Sequence, residues 1–518
     1  MHATQEHTKT TLILHPKIYL DASGEHTHAL LVRGGRVIAV GDDAMSQECD
    51  EQVEPQGACL FPALADAHIH VWDLGMRSGL VDLRGSASPD EVLRRLKVAS
   101  ASPLPVSGWV QAHGWDNHLW EENQTVTRAE LDAIFPDTPV CLYRIDHHAC
   151  LVNSEALRRA NITAETVIEG GLIARDASGE LTGLLVDEAL EMISESMPVE
   201  TDEVLEEVFC EKASMLRSFG INCAHMAWTK RNGLNMAHRL YKEGKMPIRL
   251  FCMIDCDDPE IDDIIKEGPF DSGDAWYAAR CIKYFADGAM GSRGALLLEH
   301  YLKEDANQGL TVVSSERMMR EFPEVASQGF AIAVHAIGDQ AARRVVDAYA
   351  SVRQDNPTAL LRLEHAQIMH DDDIARLGSL DIIASVQPIH MRSDSPWAHK
   401  VLNPHQIERL YNWKSLLEST LVVGGSDYPI DDPNPWHGIA SFESRITATG
   451  DVWRPEQAIG RKDALFAYTQ GAAKAAGWDD LLGCLHVGFM ADVIALDHDP
   501  FDCSVDEIWE MKAEFVEV

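Results

Sequence analysis

Eight short apolar segments of β character recur along this chain with helical patterns between them, and that rhythm constrains the fold more than any other feature. The strands are predicted at Phe61 to Ala67, Ile221 to His225, Ile248 to Ile254, Cys281 to Phe285, Phe330 to His335, Leu361 to His365, Ile382 to Gln387 and Leu421 to Gly425. Strands alternating with helices build parallel sheets, and eight of them predict an α/β fold closed as a (β/α)8 TIM-like barrel. The helix starting at Thr201 shows the pattern plainly. Val204, Leu205, Val208, Phe209, Met215, Leu216 and Phe219 recur at helical spacing, and Gly220 follows where a left-handed cap would end it.

The 518 residues exceed a single ordinary domain. Residues 1–60 read as short alternating segments with Gly34-Gly35 at a hairpin position, and residues 481–518 carry a matching strand in ADVIAL. The two ends are predicted to form a small β-sandwich around a barrel spanning 61–480. Within the barrel, residues 83–198 are too long for a βα loop. They hold helix starts at Ser88-Pro89-Asp90-Glu91 and Thr127-Arg128-Ala129-Glu130, which predicts an inserted α/β subdomain.

With 82 acidic against 44 basic residues the net charge is −38, which disfavours nucleic acid and anionic membrane surfaces as partners. No apolar run reaches the roughly 18 residues of a membrane span. The first residues lack a signal peptide's basic head and apolar middle, and the 11 cysteines show no CxxC pair, so the expectation is a cytoplasmic protein with reduced thiols. An assembly of identical copies is compatible with the sequence.

Buried strands of a parallel barrel should be apolar, so ionisable residues at their carboxyl ends need a reason. His68 and His70 close the first strand, Lys283 lies within CIKYF, His335 ends AIAVH, His365 ends LRLEH, and Asp427 follows LVVGGS. Each histidine alone is more often a hydrogen-bonded core residue than a ligand. Lys283 is harder to dismiss, because an unpaired buried ammonium is very costly. Together the set supplies nitrogen ligands, a carboxylate for proton handling and a lysine that becomes an oxygen ligand once carboxylated by carbon dioxide. The run Asp287 to Gly294 fits neither the Rossmann nor the Walker pattern, and GGSDY lacks the second glycine of a serine-hydrolase elbow.

At this point the chain resembles the amidohydrolase superfamily, in particular its YtcJ-like, amidohydrolase family 3 branch that includes N-substituted formamide deformylases. ADAHIH, GWDNHLW, HHACLVNSEAL, FADGAMGSRGALL, HAIGDQA, RLEHAQ, SVQPIH and GSDYPI carry the resemblance over nearly the whole chain. It implies two divalent metal ions, zinc being the expected identity. His68, His70 and Asp427 would hold one, His335 and His365 the other, and carboxylated Lys283 would bridge them. One departure is His147, where the family more often has glycine before the histidine matched by His148.

The expected activity is hydrolysis of a carbon–nitrogen bond other than a peptide bond, in a small amide or N-substituted formamide, by metal-activated hydroxide with Asp427 carrying the proton. Arg293, Trp115 and His148 are candidate substrate contacts, with a structural carboxylate the commoner partner for such an arginine and core packing the commoner role for such a tryptophan. Trp72, Trp397 and Trp436 either line an apolar pocket or pack between domains. Two alternatives stay open: a mononuclear deaminase-like hydrolase, and a non-catalytic metal-binding regulatory protein.

Overall fold

The computed structural model describes residues 9–71, 80–101, 108–121, 124–198 and 201–517. Its central sheet holds eight parallel strands: β1 (Leu64–Ile69), β2 (Ile221–Thr229), β3 (Arg249–Asp255), β4 (Tyr277–Phe285), β5 (Ala331–Ala336), β6 (Leu361–His365), β7 (Ile382–Val386) and β8 (Val422–Gly424). They stand side by side in chain order. The seam between β8 and β1 is drawn together just beyond the strand ends, where Asp427 N–H donates to His68 O at 2.7 Å and His70 N–H to Tyr428 O at 2.9 Å. The result is a nearly closed TIM-like barrel.

Helices cover the outside. The helix Asp202–Ser218 begins after Thr201 and turns Leu205, Val208, Phe209, Ala213 and Leu216 inward. Each such large apolar side chain contributes about 1.5–3 kcal/mol when fully buried. Gly220, at φ 87°, then lets the chain double back into β2. Inside the barrel, Phe251, Cys281, Ala333, Ile383 and Val423 join Trp478 and the alanines of Gln470–Ala475 in one apolar plug.

The first predicted strand differs from the observed one. Cys59–Pro62 pairs antiparallel with Val493–Leu496 near the chain's end, and the barrel strand starts only at Leu64. The apolar run thus serves two sheets, with Ala63 as the joint. Strands from both termini lie in one seven-stranded sheet, ordered Ala513–Phe515, Val493–Leu496, Cys59–Pro62, Thr10–Tyr19, His26–Arg33 and Arg36–Val40, with Glu51–Val53 beside Thr10–Tyr19. Arg249, 1% exposed, docks this sheet on the barrel through two bonds to Asp492 at 2.7 and 2.9 Å.

The segment between β1 and β2 carries its own six-stranded sheet, ordered Gly171–Arg175, Leu181–Asp187, Ala149–Val152, Val140–Arg144, Val110–Trp115 and Val81–Asp82. Thr127 and Glu130 form a reciprocal capping box at the helix Arg128–Ile134. No helix among the described residues is long and apolar enough to cross a membrane.

Candidate functional site

The carboxyl ends of the barrel strands converge their polar side chains on one point. His68, His365 and Asp427 each offer a ligand atom, and the three atoms lie within 4.8 Å of one another. All three residues are buried. His70 Nε2 lies 3.0 Å from Asp427 Oδ1, and the His335 ring centre is 4.4 Å from that of His365. Lys283 is wholly buried, and its Nζ has no hydrogen-bond partner among the described residues, standing 4.1 Å from the Phe285 ring. The sequence-predicted residues are therefore together, but their grouping cuts across the expected pairs: His365 joins His68 and Asp427, while His335 Nε2 faces the Gly288 carbonyl at 3.4 Å.

The local backbone is built for this convergence. His365 and Asp427 both sit in the left-handed region, at φ 73° and 57°, where non-glycine residues are uncommon and turn side chains off the strand direction. Their rings are also held from behind. Glu364 Oε2 lies 2.5 Å from His68 Nδ1, and Gln387 Oε1 lies 2.7 Å from His365 Nδ1. With Nδ1 engaged, each imidazole presents Nε2 to the centre, the arrangement that metal-binding histidines adopt. His68 Nε2 is buried without a hydrogen bond. An oriented, orphaned imidazole nitrogen beside a carboxylate and a second oriented imidazole fits a divalent cation.

Charge follows the same geometry. Burial holds His335 and His365 well below the ordinary imidazole value, and burial with the nearby Lys283 lowers His68 to about 4. All three are thus neutral, as ligation requires. Burial pushes Asp427 upward, but the His70 hydrogen bond and the His68 and His365 rings outweigh it and keep the carboxylate ionised. Burial lowers Lys283 from the usual lysine value against the pull of Glu364 and Asp427.

Three residues at the site escaped the sequence reading. Arg362 and Glu364 are both 0% exposed inside the barrel, with Arg362 Nε 2.7 Å from Glu364 Oε1. Two charges alternating within LRLEH were the available signal, since both point to one side of a strand. His390, in the helix Pro388–Ala398, places Nε2 4.0 Å from Asp427 Oδ2, and that nitrogen is buried without a hydrogen bond. A single histidine after a strand gave no pattern to read.

The inserted segment contributes His148. Its Nδ1 lies 2.6 Å from Asp187 Oδ1, and its ring centre is 5.0 Å from that of His335. Burial lowers the His148 imidazole, but the bond to Asp187 wins and raises it. A Cβ on Gly288 or Gly294 would collide with the Asp187 carboxylate, so the glycines of the Asp287–Gly294 run make room for this pair. His147 has φ 57°, in the left-handed region that favours glycine.

Arg293 and Trp115 have structural partners. Arg293 pairs with Glu304 at 2.8 Å, and Trp115 packs in the inserted subdomain with Nε1 donating to Leu142 O. Trp397 stacks on His118 of the insertion, ring centres 4.0 Å apart, and Trp436 is core, donating to Phe219 O. Trp72 lies outside the described residues.

Fold and site together define the class: a TIM-like barrel that gathers imidazoles, a carboxylate and a buried lysine where its strands end. The chain belongs to the amidohydrolase family, whose profile matches residues 53–516. Protein LONG AFTER FAR-RED 3 of Arabidopsis thaliana is 32% identical, over 93% of this chain and 86% of the relative. The putative amidohydrolase YtcJ of Bacillus subtilis (strain 168) is 30% identical over 92% of each chain, and the N-substituted formamide deformylase of Arthrobacter pascens 27% over 95% and 94%. An uncharacterised metal-dependent hydrolase from Pyrococcus horikoshii OT3 superposes with a TM-score of 0.78 at 27% identity, covering 96% of this chain and 99% of that one.

Proposed function

We propose that the protein is a metal-dependent hydrolase of small amides, N-substituted formamides foremost. The convergence of His68, His365 and Asp427, with neutral imidazoles and an ionised carboxylate, is the observation that carries this reading. His68, His70, Lys283, His335, His365 and Asp427 would hold two divalent ions, zinc being the expected metal. Such ions, when bound, lower the pKa of water and polarise a carbonyl. Lys283, once deprotonated, would add to carbon dioxide: the nitrogen–carbon bond forms as one carbon–oxygen π bond opens, the N–H proton passes to water, and the carbamate would offer two oxygens. Asp427 takes the proton from the attacking water and delivers it to the departing nitrogen, because an amine leaves poorly unless protonated. His148, beside His335, and His390, beside Asp427, would orient the substrate.

The substrate is a small molecule taken from the cytoplasm. A net charge of −38 speaks against nucleic acid and anionic membranes as partners. The name of the Arthrobacter pascens relative supports the formamide class.

The tight group of His68, His365 and Asp427, with His335 turned toward Gly288, favours a second reading in which one ion suffices. Metal content per chain, measured on wild type and a Lys283→Ala variant, together with hydrolysis of a panel of N-substituted formamides and amides, tests both. About two ions falling in the variant, with formamide turnover, is the expected outcome. One ion indifferent to Lys283 gives the mononuclear site. Metal without turnover on any panel member overturns the hydrolase reading.

A further inference from the structure

The inserted subdomain contains a cavity of about 610 Å³, within the range of drug-sized ligand sites. None of the six residues assigned to metal lines it. Its walls are Trp115, Trp120, Leu142, Leu151, Leu184 and Val186, with Gly291 to Arg293 of the barrel closing one side. The cavity opens to solvent on one side and its wall is more apolar than polar, with a few polar groups among the apolar ones, the character of small-molecule sites.

The chemistry of that occupant is set by what the walls have left to offer. Both indole N–H groups are engaged, Trp115 with Leu142 O and Trp120 with Ser86 O, so the two stacked rings present only apolar surface. Thr182 Oγ1 donates to Ala174 O, and the Thr127 hydroxyl is bonded to Glu130. Of the cations on the wall, Arg144 is paired with Asp116 and Asp146, and Arg293 with Glu304. Arg128 differs. Its one hydrogen bond among the described residues runs from Nη1 to Ser154 Oγ at 3.3 Å, which leaves most of its five donors unengaged by the protein. Asp132, one turn further along the helix and also on the wall, makes no ion pair with it among the described residues; its carboxylate accepts from Ser154 N and Oγ at 2.8 and 2.7 Å.

We propose that this cavity is a second small-molecule site, separate from the metal centre, that takes an aromatic carboxylate. The ring lies against Trp115, Trp120 and the leucines, and the carboxylate meets Arg128, whose planar fork suits it. The site stands apart from the hydrolytic reading and does not need metal or turnover.

The test is calorimetric titration of the full chain with 2-naphthoate and with its uncharged analogue 2-naphthamide. Wild type binds one naphthoate per chain and naphthamide about tenfold more weakly, as one charge-assisted contact predicts. Leu184→Trp fills the space and abolishes binding of both while metal content is kept. Arg128→Gln lowers naphthoate affinity to that of the amide and leaves the amide unchanged. Absence of saturable binding to wild type at about 1 mM, or equal binding in Arg128→Gln and wild type, overturns the proposal. Arg128→Gln decides the matter alone if Leu184→Trp unfolds.

Discussion

Glu364 and His68, 296 residues apart in sequence, meet at 2.5 Å between Oε2 and Nδ1, both wholly buried. Burial alone would raise the Glu364 carboxyl, but Arg362 and His68 outweigh it and hold it well below the usual range. The carboxylate therefore stays charged and fixes which His68 nitrogen faces the centre. Glu364→Gln should weaken metal affinity by about 10–100-fold, the usual cost of losing such an orienting partner. It also leaves Arg362 uncompensated, destabilising the fold by about 3–5 kcal/mol. Chelator competition reads the first effect and denaturant unfolding the second; unchanged metal affinity would show that Glu364 serves the fold alone.

Asp427 Oδ1 lies 3.4 Å from His68 Nε2 and 3.0 Å from His70 Nε2. Asp427→Asn keeps one ligand oxygen but cannot carry a proton. Turnover should fall by about 10²–10⁴-fold, the typical contribution of a positioned acid–base group, with metal content largely retained. Normal turnover in this variant would remove Asp427 from the proton's path.

His390 and His148 are the two imidazoles at the centre that no ion is expected to claim. Substituting either by Asn should leave metal content intact and reduce kcat/KM on the best formamide by about 10–100-fold, the scale of one or two substrate hydrogen bonds. A loss of bound metal in either variant would instead make that histidine a ligand.

The barrel was legible because its strands are apolar runs, and seven of the eight appear where the sequence places them. The first was misplaced because Phe61 and Pro62 are as apolar as the strand they precede, and nothing local separates two sheets joined at Ala63. The ionisable strand ends were legible as anomalies. Their partition was not, since which imidazole turns toward which neighbour depends on backbone turns at His365 and Asp427 and on Glu364 and Gln387 behind the rings. Trp115 and Arg293 each carried two readings in the sequence, substrate contact or structure, and residue type could not choose between them; their partners here, Leu142 O and Glu304, come from tertiary packing.

Asp255, at the carboxyl end of β3, is 4% exposed. Burial raises its pKa from 3.8 to about 6, against the Asp257 backbone N–H and the nearby Lys230, which lower it, while Asp257 and Glu191 add to the rise. The folded state thus keeps its proton up to about pH 6, whereas the unfolded chain releases it near 3.8. Between those values the folded state binds more protons, so stability must fall as pH rises across the window and level off above it. A shift of about two units corresponds to about 2–3 kcal/mol. Asn at this position can still accept the Asp257 N–H bond, seen at 2.9 Å, without any charge to bury. Asp255→Asn should therefore match wild type near pH 4 and exceed it by that amount at pH 7, measured as the difference between paired urea unfolding curves at each pH. A constant difference from pH 4 to 7 would mean that Asp255 is ionised in the folded protein throughout.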